Sequence, residues 1–221
     1  TCYGSTDKIT ETSARPFVEG LIKRGHLSVL RHSNLVVGNS AGDLSKYLIR
    51  DGMYSGGNYQ AWIELYDYNL HQLEVYWQHY GGKPTPKLKR YTAHVTTSLR
   101  NSHQLVRHTQ LAVSQKSTRY CDHSDLEVIK PWWDEQTALR QLFRMSMSGA
   151  EYDYRLMIDS HGLTKEDAAD VLPKATATEL WLTGDRNAWL NLKAQRLDNS
   201  TGKASRQMQE LMKLIPWEVI E

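Results

Sequence analysis

Between His103 and Tyr120 the chain concentrates side chains that can hydrogen-bond or carry charge: His103, Gln104, Arg107, His108, Thr109, Gln110, Ser114, Gln115, Lys116, Ser117, Thr118, Arg119 and Tyr120. Such a run is costly to bury without partners, so it must lie in solvent or line a polar cavity. Its cations, with hydroxyls and amides between them, suit a phosphorylated planar ligand. A guanidinium grips phosphate oxygens in pairs, an ammonium acts as a point charge, and hydroxyls complete the shell. Taken alone, the more ordinary reading of the run is a solvated basic loop.

Order and spacing shift that balance. Arg107-His108-Thr109 is followed by seven residues, Ser117, one further residue and Arg119-Tyr120. The pattern resembles the signature of the flavin-dependent thymidylate synthases, which is Arg-His-Arg, seven residues, Ser, one residue, Arg-Tyr, with Thr109 in the place of the second Arg. Other resemblances follow in chain order. Thr1-Cys2-Tyr3 is similar to an N-terminal Arg-x-Cys-Tyr, and Gly25-His26-Leu27-Ser28 to a Gly-His-x-Ser/Thr turn followed by His32. His94 and Gln104 fit the strand and helix ahead of the signature, Leu172-Pro173 fits a Leu-Pro step, and Asn191 with Arg196 fits an Asn-x4-Arg on a late helix. Together they span nearly the whole chain except 38–90. One such match is weak; several in order are specific.

Carried over residue by residue, the resemblance implies that His26, Ser28, Arg107, His108, Thr109 and Asn191 contact FAD. It implies that Gln104, Gln115, Lys116, Ser117, Arg119 and Arg196 hold a uridine nucleotide, with Arg119 near its phosphate. Ser117 and Arg196 would be the catalytic pair. Arg196 would polarise the uracil, because a fixed guanidinium stabilises charge developing on a ring oxygen and so makes C5 nucleophilic. Ser117 would be either a nucleophile or an orienting hydroxyl. The resemblance also implies methylenetetrahydrofolate and NADPH as co-substrates, no metal, and a homotetramer whose sites are shared between subunits. Hydride transfer would be the flavin's chemistry, in keeping with Cys2 and Cys121 lacking any nucleophile motif.

The chain departs from the family pattern at several positions. Thr109 removes a cation, Gln115 stands where Glu is usual, and Arg31 stands where Glu is usual in the turn after His26. Ala169 replaces a phosphate-binding Arg, and Asp185 and Asn187 differ from an Asn-x-Arg pair. These changes cluster around nucleotide and flavin while Arg107, His108, Ser117, Arg119, Asn191 and Arg196 remain. The combination resembles the divergent branch that methylates UMP in polyoxin-type nucleoside antibiotic biosynthesis. The expected reaction is therefore C5-methylation of UMP, with dUMP tolerated because an apolar pocket discriminates weakly for one hydroxyl. An ordinary dUMP-to-dTMP enzyme is the second reading. A non-catalytic nucleotide- or RNA-binding protein, stacking bases on the aromatic segment 58–80, is the third.

The elements that must position these residues can be read from composition and periodicity. With 221 residues and 40% apolar content, the chain suits one domain, 1–221, carrying a helical insertion at about 38–90. Charge is nearly balanced, 27 Lys+Arg against 25 Asp+Glu, which gives no general reason for nucleic-acid or membrane binding. Two distant cysteines form no disulfide framework, and the chain reads as cytoplasmic. No apolar run approaches the roughly 18 residues of a membrane span, and the opening does not read as a leader. The start at Thr1 is expected to omit part of the native N-terminus. Cys121-Asp122-His123 matches no zinc spacing and reads as a surface turn.

Helices are expected at 13–24, at 97–108, from Pro131 to about 160, after a Thr164 cap, and at 186–197 and 203–214. The stripe Trp62, Leu65, Tyr66, Leu70, Leu73, Tyr76, Trp77 and Tyr80 predicts one helix whose aromatics serve packing. Strands are expected within 28–38, near 91–95 and at 175–182, with 109–131 turn-rich. Helices outnumber scattered strands, so the fold class is α+β, helices packed around a small antiparallel or mixed sheet.

Overall fold

The computed structural model describes residues 10, 12–38, 48–200 and 202–220. Thr1-Cys2-Tyr3 lies outside the described residues. The architecture is α+β, built on two three-stranded antiparallel sheets, each with its own core.

The larger sheet joins β4 (Arg90–Ser98), β6 (Ala177–Asp185) and β5 (Ala112–Gln115) in the order β4-β6-β5. The centre strand β6 alternates as a half-covered strand must. Thr178, Leu180 and Leu182 are buried, while Glu179 and Trp181 face outward. Helices α4 (Leu99–Leu105), α7 (Arg186–Arg196), α8 (Arg206–Lys213) and α9 (Trp217–Ile220) cover the inner face. Leu105, Leu111, Trp189, Leu192, Met208 and Met212 are each at most 2% exposed there. Two strand-to-helix turns set the helices. Ser98 accepts from Asn101 N at 3.3 Å to start α4, and Asp185 accepts from Ala188 N at 2.9 Å to start α7. Gly184 lets α7 leave the sheet at close range, since a Cβ there would meet Leu111 Cδ2 at 2.5 Å and Ala188 Cβ at 3.0 Å.

The second core gathers α1 (Ala14–Lys23), a 3-10 segment at Leu27–His32, β1 (Leu35–Val37), α2 (Tyr59–Leu65) and α3 (Leu70–Tyr80). Its sheet has the order β1-β3-β2, with β2 at Ile49–Asp51 and β3 at Tyr54–Gly57. Trp62 fills the centre, fully buried, and donates Nε1 to Leu35 O at 3.1 Å. A long helix, α5 (Thr137–Asp159), lies outside both cores with Tyr154 its only buried residue, and the short α6 (Lys165–Ala168) follows it.

The structure departs from the sequence expectations in identifiable places. The stretch 28–38 is strand only at Leu35–Val37, because residues 27–32 wind into 3-10 turns that carry His32 to the larger sheet. The aromatic stripe breaks into two helices where Asp67 and Tyr68 adopt positive φ (50° and 61°). Trp62 and Leu73 pack inward, while Trp77 and Tyr80 stay nearly half exposed. Among its described residues the segment 38–90 contains β2 and β3 as well as helices. Strand β5 lies inside the stretch expected to be turns, and α5 begins at Thr137, six residues past Pro131. In the Cys121–His123 turn Asp122 is exposed, but His123 points inward against Tyr154, edge to face at 6.2 Å. Among the described residues no helix is long and apolar enough to cross a membrane.

Candidate functional site

The first half of the signature is a tight turn pinned at both ends. Leu105 and Leu111 are buried, and between them His108 N donates to Leu105 O at 3.0 Å and Leu111 N to His108 O at 2.9 Å. His108 is thereby carried inward to 5% exposure, against the last turns of α7. There Arg196 Nε donates to His108 Nε2 at 2.9 Å, and Arg196 Nη2 reaches Gln104 O at 3.4 Å. Asn191, on the same helix, donates Nδ2 to Gln110 Oε1 at 3.2 Å and accepts from Gln195 Nε2 at 2.9 Å.

Electrostatics fix the protonation here. Burial first, then the charge of Arg196, pushes the His108 pKa down to about 4. The ring is therefore neutral near pH 7. Because its Nε2 accepts from Arg196, the proton sits on Nδ1. Burial and the nearby charge of Arg107 in turn lower the Arg196 pKa. The result is a partly desolvated guanidinium with a fixed orientation, held by a neutral base and a backbone carbonyl.

The second half of the signature is arranged differently. Gln115, at the end of β5, donates Nε2 to Ser102 Oγ at 3.1 Å and Thr178 Oγ1 at 3.3 Å. Lys116 Nζ lies 3.9 Å from Glu179 Oε1. Ser117 Oγ accepts from Arg119 N at 3.2 Å, which shapes the turn. Arg119 is exposed, pairs through Nε with Glu166 Oε2 at 2.8 Å, and lies over the Tyr120 ring at 5.2 Å. Among the described residues no hydrogen bond or ion pair links Lys116, Ser117 or Arg119 to His108 or Arg196. The chain thus brings together Gln104, Arg107, His108, Asn191 and Arg196, and leaves Ser117, Lys116 and Arg119 as a more open group with no hydrogen bond to them.

His26 and Ser28 are exposed at the start of the 3-10 segment, and their side chains make no hydrogen bond to either group. The same segment does reach the site further on. Arg31 Nη2 donates to Thr109 O at 3.1 Å. His32 bridges the larger sheet, with Nδ1 2.8 Å from Thr183 Oγ1 and Nε2 2.9 Å from Ser114 Oγ. A cavity of about 290 Å³ opens between the two cores, bordered by Arg31, Asn34, Arg90, Thr109, Gln110 and Asp185. Gln110, Gln195 and Arg90 belong to this region; the sequence names Gln110 only within the polar run 103–120 and does not single out the other two. Gln110 falls in the unconstrained seven-residue spacer, and Arg90 lies at the start of a strand with no motif around it. Only the tertiary contact reveals them.

Comparison with known proteins bears on the same region. The sequence profile of the family described as "Thymidylate synthase complementing protein" matches residues 78–220. A curated "Flavin-dependent thymidylate synthase" from Mycolicibacterium gilvum (strain PYR-GCK) is 28% identical over 110 residues, which is 43% of this chain and 44% of that protein. The match thus spans less than half of that relative's length. The profile match takes in β4, β5, β6, the Arg107–Gln110 turn and α7, so the elements that build the His108–Arg196 pair are those the family shares. The chain belongs to the thymidylate synthase complementing protein family.

Proposed function

We propose that the protein methylates C5 of a uridine monophosphate, UMP with dUMP tolerated, in a flavin-dependent reaction. Methylenetetrahydrofolate donates the one-carbon unit and NADPH is the reductant. The observation that carries this reading is the 2.9 Å contact between Arg196 and His108, which joins the signature to the late helix at one point. Family membership and the flavin-dependent relative support the reaction class.

The residues present fit a flavin dinucleotide on two observations. Within or beside the cavity, Arg90 Nε and Asn34 Oδ1 are buried without a hydrogen-bond partner among the described residues, one a donor and one an acceptor. Buried groups of this kind are uncommon in finished interiors and suit a polar ligand. Arg107, His108, Thr109 and Asn191, with His26 and Ser28 at the neighbouring turn, would hold FAD. When bound and reduced, the flavin supplies the hydride.

The remaining chemistry belongs to the chain. Arg196, unable to swing away from His108 at low cost, presents positive charge where a uracil oxygen becomes negative, and this favours attack from C5. Neutral His108 keeps that charge from being cancelled. Gln104, Gln115, Lys116, Ser117 and Arg119 bind and orient the nucleotide, with Arg119 exchanging Glu166 for a phosphate. Separation of the two residue groups within one subunit favours a homotetramer in which the Ser117–Arg119 turn of one copy completes the site of another. Preference for UMP rests on the retuned positions Thr109, Gln115, Asp185 and Asn187, and with it a role in antibiotic biosynthesis.

The test is a competition. Protein is supplied with FAD, NADPH and methylenetetrahydrofolate and offered UMP and dUMP together, and the products are weighed. A methyl-sized gain chiefly on UMP is expected. A gain chiefly on dUMP would move the protein to ordinary thymidylate synthesis, and no gain on either nucleotide would overturn the proposal.

A further inference from the structure

Position 109 carries no charge, yet a guanidinium reaches it from elsewhere. Arg31, on the 3-10 segment of the second core, donates Nη2 to the backbone carbonyl of Thr109 at 3.1 Å. Its own carbonyl is held by Arg90 Nη2 at 3.0 Å, so the turn bearing Arg31 is fixed to the first strand of the larger sheet. Among the described residues Arg31 has no carboxylate partner, and the nearby Asp185 already caps α7 through Ala188 N. Arg31 and Arg90 border the same cavity of about 290 Å³, into which Arg90 Nε and Asn34 Oδ1 bring unsatisfied polar atoms. Two guanidiniums beside one carboxylate leave the cavity with excess positive charge and spare donors. That donor set suits a phosphate ester rather than an uncharged ring.

We propose that Arg31 supplies, from the opposite wall, the cation missing at Thr109, and uses it to hold the phosphate portion of the flavin dinucleotide. The inference rests on the flavin-dependent reading above. Charge has been relocated across a contact rather than lost: the side chain at 109 became neutral and its backbone became the anchor for a cation borne by residue 31. The departures at positions 31 and 109 are then one compensated change. Arg31 is a binding residue with no part in the chemical step.

The test is a double-mutant cycle read by FAD affinity, using flavin fluorescence titration of the full chain. Wild type is compared with Arg31→Glu, Thr109→Arg and the combined Arg31→Glu/Thr109→Arg, each checked for an unchanged thermal unfolding midpoint. Arg31→Glu should weaken FAD by roughly ten- to a hundredfold, as loss of a charge-assisted contact implies. The combined variant should recover at least about tenfold over Arg31→Glu without reaching wild type, since it again presents one cation to the cavity but beside an added carboxylate. Arg31→Ala serves as the milder second probe, weakening FAD less than Arg31→Glu and with a shallower salt dependence than wild type. UMP affinity, measured by calorimetry on the same preparations, should stay within about threefold in all variants. Unchanged FAD affinity in Arg31→Glu, absence of rescue in the combined variant, or a loss confined to UMP would each overturn the inference while leaving the flavin reading intact. Wild-type protein that takes up no FAD would overturn both.

Discussion

The two halves of the Arg107–Tyr120 signature lie close in sequence and differ in physical character. Arg107 to Gln110 forms a turn clamped by two buried leucines, with its histidine 5% exposed and hydrogen-bonded to Arg196. Ser117 to Tyr120 forms an open turn, whose arginine pairs in solvent with Glu166. Burial costs a charged group its water, so the first half must satisfy its groups within the chain, and its geometry is set without a ligand. In the proposed reaction the second half would give up only an exposed ion pair, worth about 0–1 kcal/mol, to exchange one anion for another. One half is preorganised and the other is adaptable, a division that suits the proposed reaction, with a rigid centre and a nucleotide that must enter and leave.

That contrast can be broken by mutation, with the largest effect expected in the rigid half. Arg196→Ala should lower kcat/KM by roughly a hundred- to a thousandfold, the usual cost of removing a preorganised charge-stabilising donor. Arg196→Lys should recover little of it, because an ammonium cannot hold His108 and Gln104 O together as the guanidinium does. Product mass under saturating co-substrates would measure both. A lysine variant with near-normal turnover would remove the geometric argument.

Next in size is a pH effect on stability. The folded-state pKa of His108 is lowered from 6.5 to about 4, so the unfolded chain takes the proton first. The stability tied to its neutral form is present above about pH 6.5 and is lost progressively as pH falls toward 4. Denaturant unfolding at pH 7, 5.5 and 4 should show wild type losing up to about 3 kcal/mol more than His108→Asn over that window. Parallel curves for the two proteins would show that burial does not control this histidine.

Effects in the open half should be smaller and should fall on binding. Arg119→Ala should raise the nucleotide KM by about tenfold with little change in kcat, as loss of one charge-assisted contact predicts. Smallest of all, Glu166→Gln should change unfolding free energy by no more than about 0.5 kcal/mol, since its pair is exposed. It should also leave nucleotide KM the same or slightly lower, having released Arg119. A marked fall in stability would mean that the turn is structural after all, and the contrast between the halves would dissolve.

Much of the fold was legible in the residues that carry local rules. Gly25, with φ of 70°, ends α1 where a stop was expected, and the Thr164 side chain accepts from Asp167 N as a cap should. Helix α7 and strand β6 lie within two or three residues of their expected places, because capping and alternation are short-range. The single-helix reading of the aromatic stripe failed at Asp67 and Tyr68, since periodicity does not report a left-handed break. Strand β5 was hidden because Ala112 to Gln115 gains strand geometry only by pairing with β6. In the candidate site, Arg107, His108, Asn191 and Arg196 could be proposed from spacing. Gln110, Arg90 and the hold of Arg31 on Thr109 could not, as each depends on contact between distant segments.

By itself the sequence determined which residue types are candidates to meet a phosphate, where most helices begin and end, and the order of a family signature, all properties of neighbours along the chain. The tertiary structure decided which of those residues share a site. It set Arg196 88 positions away against His108, and Arg31 78 positions away against Thr109. The reason is that burial, and with it the state of a charge, is settled by whichever distant segment excludes the water, and chain spacing carries no record of that segment.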